Sequence, residues 1–173
     1  MKAIAGAVVL ALLSGATGAA STIETAGGVG AVALPAGAAV MAAARKDGKG
    51  TLQLVEAYAA TMAIVYVLKP TINRTRPDGG SQSFPSGHSA SAFAGAAFLE
   101  RRYGWSIGAP AYALATFVAV SRVEAKRHYT TDVVAGGAIG ILSNLVFTRR
   151  YQKVAVTPAI VPRTAGVTFE LSW

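Results

Sequence analysis

The sequence predicts an all-α, membrane-embedded helical bundle of five to six helices, and three observations predict it. Hydrophobic residues make up 53% of the 173-residue chain and charged residues only 14%. With a mean hydropathy of +0.45, that is too apolar for an ordinary water-soluble domain. The apolar residues also gather into six runs separated by short polar or basic turns. If successive runs alternate in direction, the basic turns Arg45/Lys46/Lys49, Arg101/Arg102 and Arg149/Arg150 share one face with Lys2. A face that collects Lys and Arg in this way is expected to be cytoplasmic.

Residues 1–20 open with Met1-Lys2, continue as an apolar core over Ala3–Leu13 and end in small residues that include Gly18 and Ala20. They read as a secretory signal peptide or as an uncleaved first transmembrane helix. Either reading puts the following segment outside the cytoplasm. The runs Gly27–Ala44 and Thr51–Leu68 come next, the first carrying Pro35 and several glycines, which membrane helices tolerate. Asp78–Ser83 is a flexible loop in which Asp78 serves the turn. Ser86–Leu99, Ile107–Val120 and Val133–Phe147 complete the bundle over residues 21–150. Several runs hold only 14 to 17 residues, or about 21–26 Å of helix against a bilayer core of about 30 Å. That shortfall implies local thinning of the bilayer or helix ends lying in the interface. The tail, 151–173, has β-branched alternation around Arg163-Thr164-Ala165-Gly166 and is a candidate short C-terminal β-hairpin, although Pro158 and Pro162 disfavour it.

Composition also removes function classes. The chain has no cysteine, which excludes disulfides, thiolate nucleophiles and Cys-based metal sites. Its net charge is +8, but the basic residues sit in small clusters between apolar runs, without interleaved aromatics. Nucleic-acid binding is therefore not expected.

Three stretches carry the chemistry: Lys69 through Arg76-Pro77, Pro85-Ser86-Gly87-His88, and Ser121-Arg122 through His128 to Asp132. They fall on the face opposite the basic turns and hold the chain's two histidines. Lys69, Arg76 and Arg122 supply cations. Ser86 is a good N-cap, so the first-turn N–H groups at Gly87 and His88 would point at an anion. His128 and Asp132 are four apart, and a helix through both would bring the carboxylate to the imidazole. Fixed positive charge with two imidazoles suits holding a phosphoryl group and moving protons around it. Arg74, Lys126 and Arg127 read as surface or headgroup contacts.

Lys69-x6-Arg76-Pro77, Pro85-Ser86-Gly87-His88 and Ser121-Arg122-x5-His128-x3-Asp132 together resemble the three-part signature of the type 2 phosphatidic acid phosphatase superfamily. That superfamily also includes bacterial acid phosphatases and vanadium haloperoxidases. Every defining position matches, in order, and the resemblance covers about residues 50–148. It implies metal-independent hydrolysis of phosphomonoesters or diphosphates without a cofactor, with His128 as nucleophile, Asp132 holding its ring and His88 as acid. Lys69, Arg76, Ser86, Gly87 and Arg122 would bind phosphate. The expected substrate is a lipid phosphate, and the expected location is the bacterial inner membrane with the site facing the periplasm. The alternatives are an exported non-specific acid phosphatase acting on soluble esters, a haloperoxidase, and an anion-binding scaffold. Neither the lipid nor the oligomeric state is legible.

Overall fold

A computed structural model describes residues 19–151, 153–161 and 164–172, with side chains from 22 to 151. The signal-peptide or first-helix reading of residues 1–20 lies, up to residue 18, outside the described residues. Five helices follow: α1 (Ala19–Ala44), α2 (Gly48–Ile72), α3 (Gly87–Tyr103), α4 (Trp105–Glu124) and α5 (Thr130–Phe147). The chain is thus an all-α membrane bundle. Past it, β1 (Lys153–Val161) pairs antiparallel with β2 (Thr164–Ser172), Thr157 opposite Thr168.

Four helices, α1, α2, α4 and α5, are long and apolar enough to cross a membrane. The shortfall expected from the apolar runs narrows, because the helices outrun them. α4 extends past Val120 through Ser121, Arg122 and Glu124, reaching 20 residues, or about 30 Å. α2 carries Lys69 and Pro70 in its last turns and stops where Asn73 turns left-handed at φ 42°. Val29, Val40, Leu52, Val55, Val134 and Val146 all point outward and are exposed. Apolar side chains facing out of a packed bundle suit lipid as the solvent.

α3 occupies the centre. Its apolar run is short and interrupted by serines, yet Ser89–Ala92 and Ala94–Leu99 are buried without a break because other helices surround it. Phe98 packs there with Leu34, Leu54 and Val118. Small residues let the helices touch. A side chain at Gly140 would meet the Ala90 carbonyl at 2.6 Å, and one at Gly136 would overlap the Ser86 carbonyl. Gly136 and Gly140, four apart on α5, therefore lay its first turns directly against the start of α3. Asn144 fastens the same pair lower down, donating to the Ala94 carbonyl at 3.0 Å.

The basic turns meet at one end of the bundle. Arg102 is buried there and donates to Asp47 at 2.6 and 2.7 Å and to the Arg149 and Arg150 carbonyls at 2.9 and 3.1 Å. Tyr103 donates to Asp47 at 3.0 Å, and the Gly50 N–H caps α2 on the same carboxylate at 2.9 Å. Burial alone would raise the Asp47 carboxyl, but the Arg102 guanidinium, the Gly50 N–H and the Tyr103 hydroxyl outweigh it and hold the group below its ordinary value.

Candidate active site

At the opposite end a cavity of about 410 Å³ is lined by Lys69, Arg76, Gly87, His88, Arg122 and His128. Six of the eight residues singled out from the sequence thus border one space. The remaining two, Ser86 and Asp132, are fully buried beside it. Ser86 caps α3 and accepts a long bond from the Ser89 N–H at 3.4 Å. Its own N–H donates to the Asp132 carbonyl at 2.9 Å, joining the second stretch to the third. That bond, with the glycine contacts on α5, brings His88 and His128 to the same cavity.

Each cation is held by neutral oxygen. Lys69 Nζ donates to the Gln82 carbonyl at 2.8 Å, and Arg76 Nε donates to the Ser81 carbonyl at 3.0 Å. Arg122 Nε donates to Ser121 Oγ at 3.1 Å, and its NH2 donates to the Glu24 carbonyl. Among the described residues no carboxylate forms an ion pair with Lys69, Arg76 or Arg122. Three positive charges therefore face the cavity, oriented but not neutralised, as a multiply charged oxyanion requires.

The pairing of His128 with Asp132 differs from the helical expectation. α5 begins at Thr130, so His128 lies before the helix. Asp132 folds back onto the start of its own helix, accepting from the Tyr129 N–H at 2.9 Å. His128 Nδ1 is left 3.7 Å from Asp132 Oδ2, too long for a hydrogen bond, and is buried without a hydrogen-bond partner. Burial, and then the Lys69 and Arg76 charges, push the imidazole from an ordinary 6.5 down to about 4, against the pull of Asp132. The ring is consequently neutral near pH 7, the form that attacks an electrophile.

Two groups were not foreseen, and two were read differently. Ser83 is fully buried and donates to Asp132 Oδ2 at 2.5 Å. Glu24, from the start of α1, lines the cavity and pairs with Arg127 at 2.8 Å. Arg127 also reaches Asp78 at 3.0 Å, so the expected headgroup contact is instead an ion-paired strap across the mouth. Asp78 does serve its turn, accepting from the Gly80 N–H at 3.0 Å. Arg74, likewise read as a surface cation, pairs with Asp132 at 2.9 Å. Loop residues 73–86 carry no periodicity, so nothing in the sequence shows which of them fold under α5. The short spacing from Arg74 to Arg76 was the one available signal.

The cavity runs on from these charges along an apolar wall of Ala31, Val32, Met62 and Val65, with Tyr58 and Tyr66 beside it. Beneath the charged part, Ser91 donates to the Ala31 carbonyl at 2.7 Å and shares a hydrogen bond with the Tyr58 hydroxyl at 3.0 Å.

Known proteins share both sequence and fold. The sequence profile of the PAP2 superfamily matches residues 78–155. A lipid A 4′-phosphatase of Helicobacter pylori is 31% identical over 131 residues, covering 69% of this chain and 66% of the relative. A lipid A 1-phosphatase of Porphyromonas gingivalis is 42% identical over 79 residues, 43% of this chain and 18% of the relative. The chain thus spans about two thirds of the first relative's length and under a fifth of the second's. Among solved structures, LpxE of Aquifex aeolicus aligns at TM-score 0.66 and 22% identity, covering 82% of this chain and 92% of the other. A transmembrane PAP2-type phosphatidylglycerolphosphate phosphatase of Bacillus subtilis aligns at 0.59 and 27%, covering 85% of each chain. With the three signature stretches gathered at one cavity in a shared membrane fold, this chain belongs to the PAP2 superfamily, the type 2 phosphatidic acid phosphatases.

Proposed function

We propose that this protein hydrolyses the phosphate of a membrane lipid through a phosphohistidine, at the periplasmic face of the inner membrane. The carrying observation is the continuity of the cavity. Lys69, Arg76 and Arg122 crowd one part of it, and the apolar wall between α1 and α2 forms the rest. A phosphate on an acyl chain matches both parts, whereas a small soluble ester would leave the apolar part filled with water. Lipid A phosphates are favoured among such substrates, since two curated relatives are named lipid A phosphatases.

His128 attacks phosphorus through Nε2, the nitrogen remote from Asp132. A P–N bond forms, the ester P–O bond breaks, and His88 gives its proton to the departing oxygen. Water then attacks the phosphohistidine, His88 takes a proton from it, and inorganic phosphate leaves. Lys69, Arg76, Arg122 and the N–H groups at the start of α3 neutralise the equatorial oxygens in both steps. The gathering of Arg45, Arg102, Arg149 and Arg150 at the other end of the bundle supports a cytoplasmic position there and a periplasmic position for the cavity.

The test is phosphate release by the full chain in detergent micelles. Its substrates are lipid A, phosphatidic acid, phosphatidylglycerol phosphate, a polyprenyl diphosphate and soluble p-nitrophenyl phosphate. Release from one or more lipids, competitive inhibition by vanadate and no loss with a chelator are expected. Equal or better turnover of the soluble ester would overturn the lipid reading, and no release from any substrate would overturn the hydrolase reading.

A further inference from the structure

Asp132, behind the histidine, is fully buried and accepts three hydrogen bonds. Tyr129 N–H and Ser83 Oγ donate to Oδ2 at 2.9 and 2.5 Å, and Arg74 NH1 donates to Oδ1 at 2.9 Å. None of these donors comes from His128, whose Nδ1 stands 3.7 Å away.

Arg74 is itself held by the start of α5. Its guanidinium lies 4.1 Å over the Tyr129 ring, and NH1 also donates to Thr131 Oγ1 at 2.7 Å. Its carbonyl accepts from the Ser83 N–H at 2.7 Å, so the main chains of the two residues that grip Asp132 are fastened to each other. Arg74 does not line the cavity. Its position lets it act on the carboxylate without competing for phosphate.

We propose that Arg74 is a positioning residue that, with Ser83, anchors the Asp132 carboxylate and thereby keeps His128 unprotonated and fixed for attack. The inference rests on the hydrolase reading given above. Its physical basis is a competition for one anion. The ionisable groups that face or share the cavity with His128 are Glu24 on α1, Tyr58, Tyr66 and Lys69 on α2, Arg76 in the following loop, His88 on α3, Arg122 on α4, Arg127 before α5, and Asp132; Glu24 is paired with Arg127. Asp132 is the buried carboxylate in contact distance. A carboxylate freed of Arg74 would turn its full charge onto the imidazole, draw a proton to Nδ1 and let the ring swing with it. Held by Arg74 and Ser83, it gives the ring a boundary without protonating it.

The experiment compares the wild-type chain with Arg74→Gln, Arg74→Lys and Ser83→Ala in detergent micelles. Histidine NMR follows the titration of His128, assigned with a His88→Gln variant, and kcat and KM are measured alongside. Arg74→Gln is expected to raise the His128 pKa by about one unit and to lower kcat about 100-fold, with KM changed less than about threefold. Arg74→Lys should return both towards wild type, and Ser83→Ala should move both in the same direction as Arg74→Gln but less. An unchanged His128 titration in Arg74→Gln overturns the inference even if activity falls. If Arg74→Gln does not fold, an unchanged titration in Ser83→Ala does so. The titration needs no substrate, so a wild-type chain that releases no phosphate would sink the hydrolase reading and leave this result separate.

Discussion

Each end of the bundle buries an arginine, and the two are treated in opposite ways. Arg102 at one end is neutralised by Asp47 at 2.6 Å and saturated by two further carbonyls. Arg122 at the other end is equally hidden, at 3% exposure against 6%, yet its described acceptors are a hydroxyl and a carbonyl. A buried charge with its counter-ion is a structural joint. A buried charge held by neutral dipoles, with a carboxylate (Glu24) acting on it only through space, has had its geometry fixed without a contact counter-ion, a stored cost that an arriving anion relieves. Fold and chemistry are divided between the ends on that basis.

The largest effect is expected at the proposed nucleophile. His128→Ala should lower kcat by more than about 1000-fold while leaving the thermal midpoint in micelles close to wild type, because nothing in the Arg102–Asp47 joint is touched. Arg122→Gln should follow, at about 100- to 1000-fold in kcat/KM, again with the fold retained. Vanadate affinity, measured by competition, should fall in parallel.

Asp47→Ala sharpens the contrast from the other side. It leaves Arg102 buried without its counter-ion, for a loss of about 3–5 kcal/mol, and the midpoint should drop by roughly 10 °C. Per folded molecule, kcat/KM should stay within about twofold of wild type. A large fall in turnover would show that the two ends are coupled and that the division is wrong.

What could be read from the chain followed the same line. Lys69, Arg76, His88, Arg122 and His128 were legible because each is a charged or titratable residue standing at the end of an apolar run. Alternation of the runs alone puts them on one face. Arg102 was legible only as a basic turn, since its partner Asp47 lies 55 residues away and no periodic signal links them. The four-residue spacing of His128 and Asp132 was misleading in form. It presumed a helix through both, whereas Asp132 caps its own helix and His128 lies outside it. Ser83 and Arg74 were opaque for a related reason. Loop 73–86 is positioned by contacts with α5 rather than by its own pattern, as the Arg74–Asp132 pair, 58 residues apart, illustrates. The short apolar runs misjudged helix length because the helices continue into the polar residues that serve the site, such as Lys69 on α2 and Arg122 on α4.

The smallest effect belongs to His128 itself and concerns stability rather than turnover. In the folded chain the imidazole titrates near 4, against an ordinary 6.5. Between those values the unfolded chain binds a proton that the folded chain refuses. Stability therefore falls as pH drops from about 6.5 towards 4, and it is independent of this group above that window. His128→Asn removes the group and keeps a polar side chain of similar reach. Its midpoint should lose less than wild type on acidification from pH 7 to pH 4.5, and the two curves should run parallel from pH 7 to pH 8. Parallel curves throughout would mean that the ring is not held neutral by its surroundings, and the cavity end would then lack the contrast with the neutralised joint around Arg102.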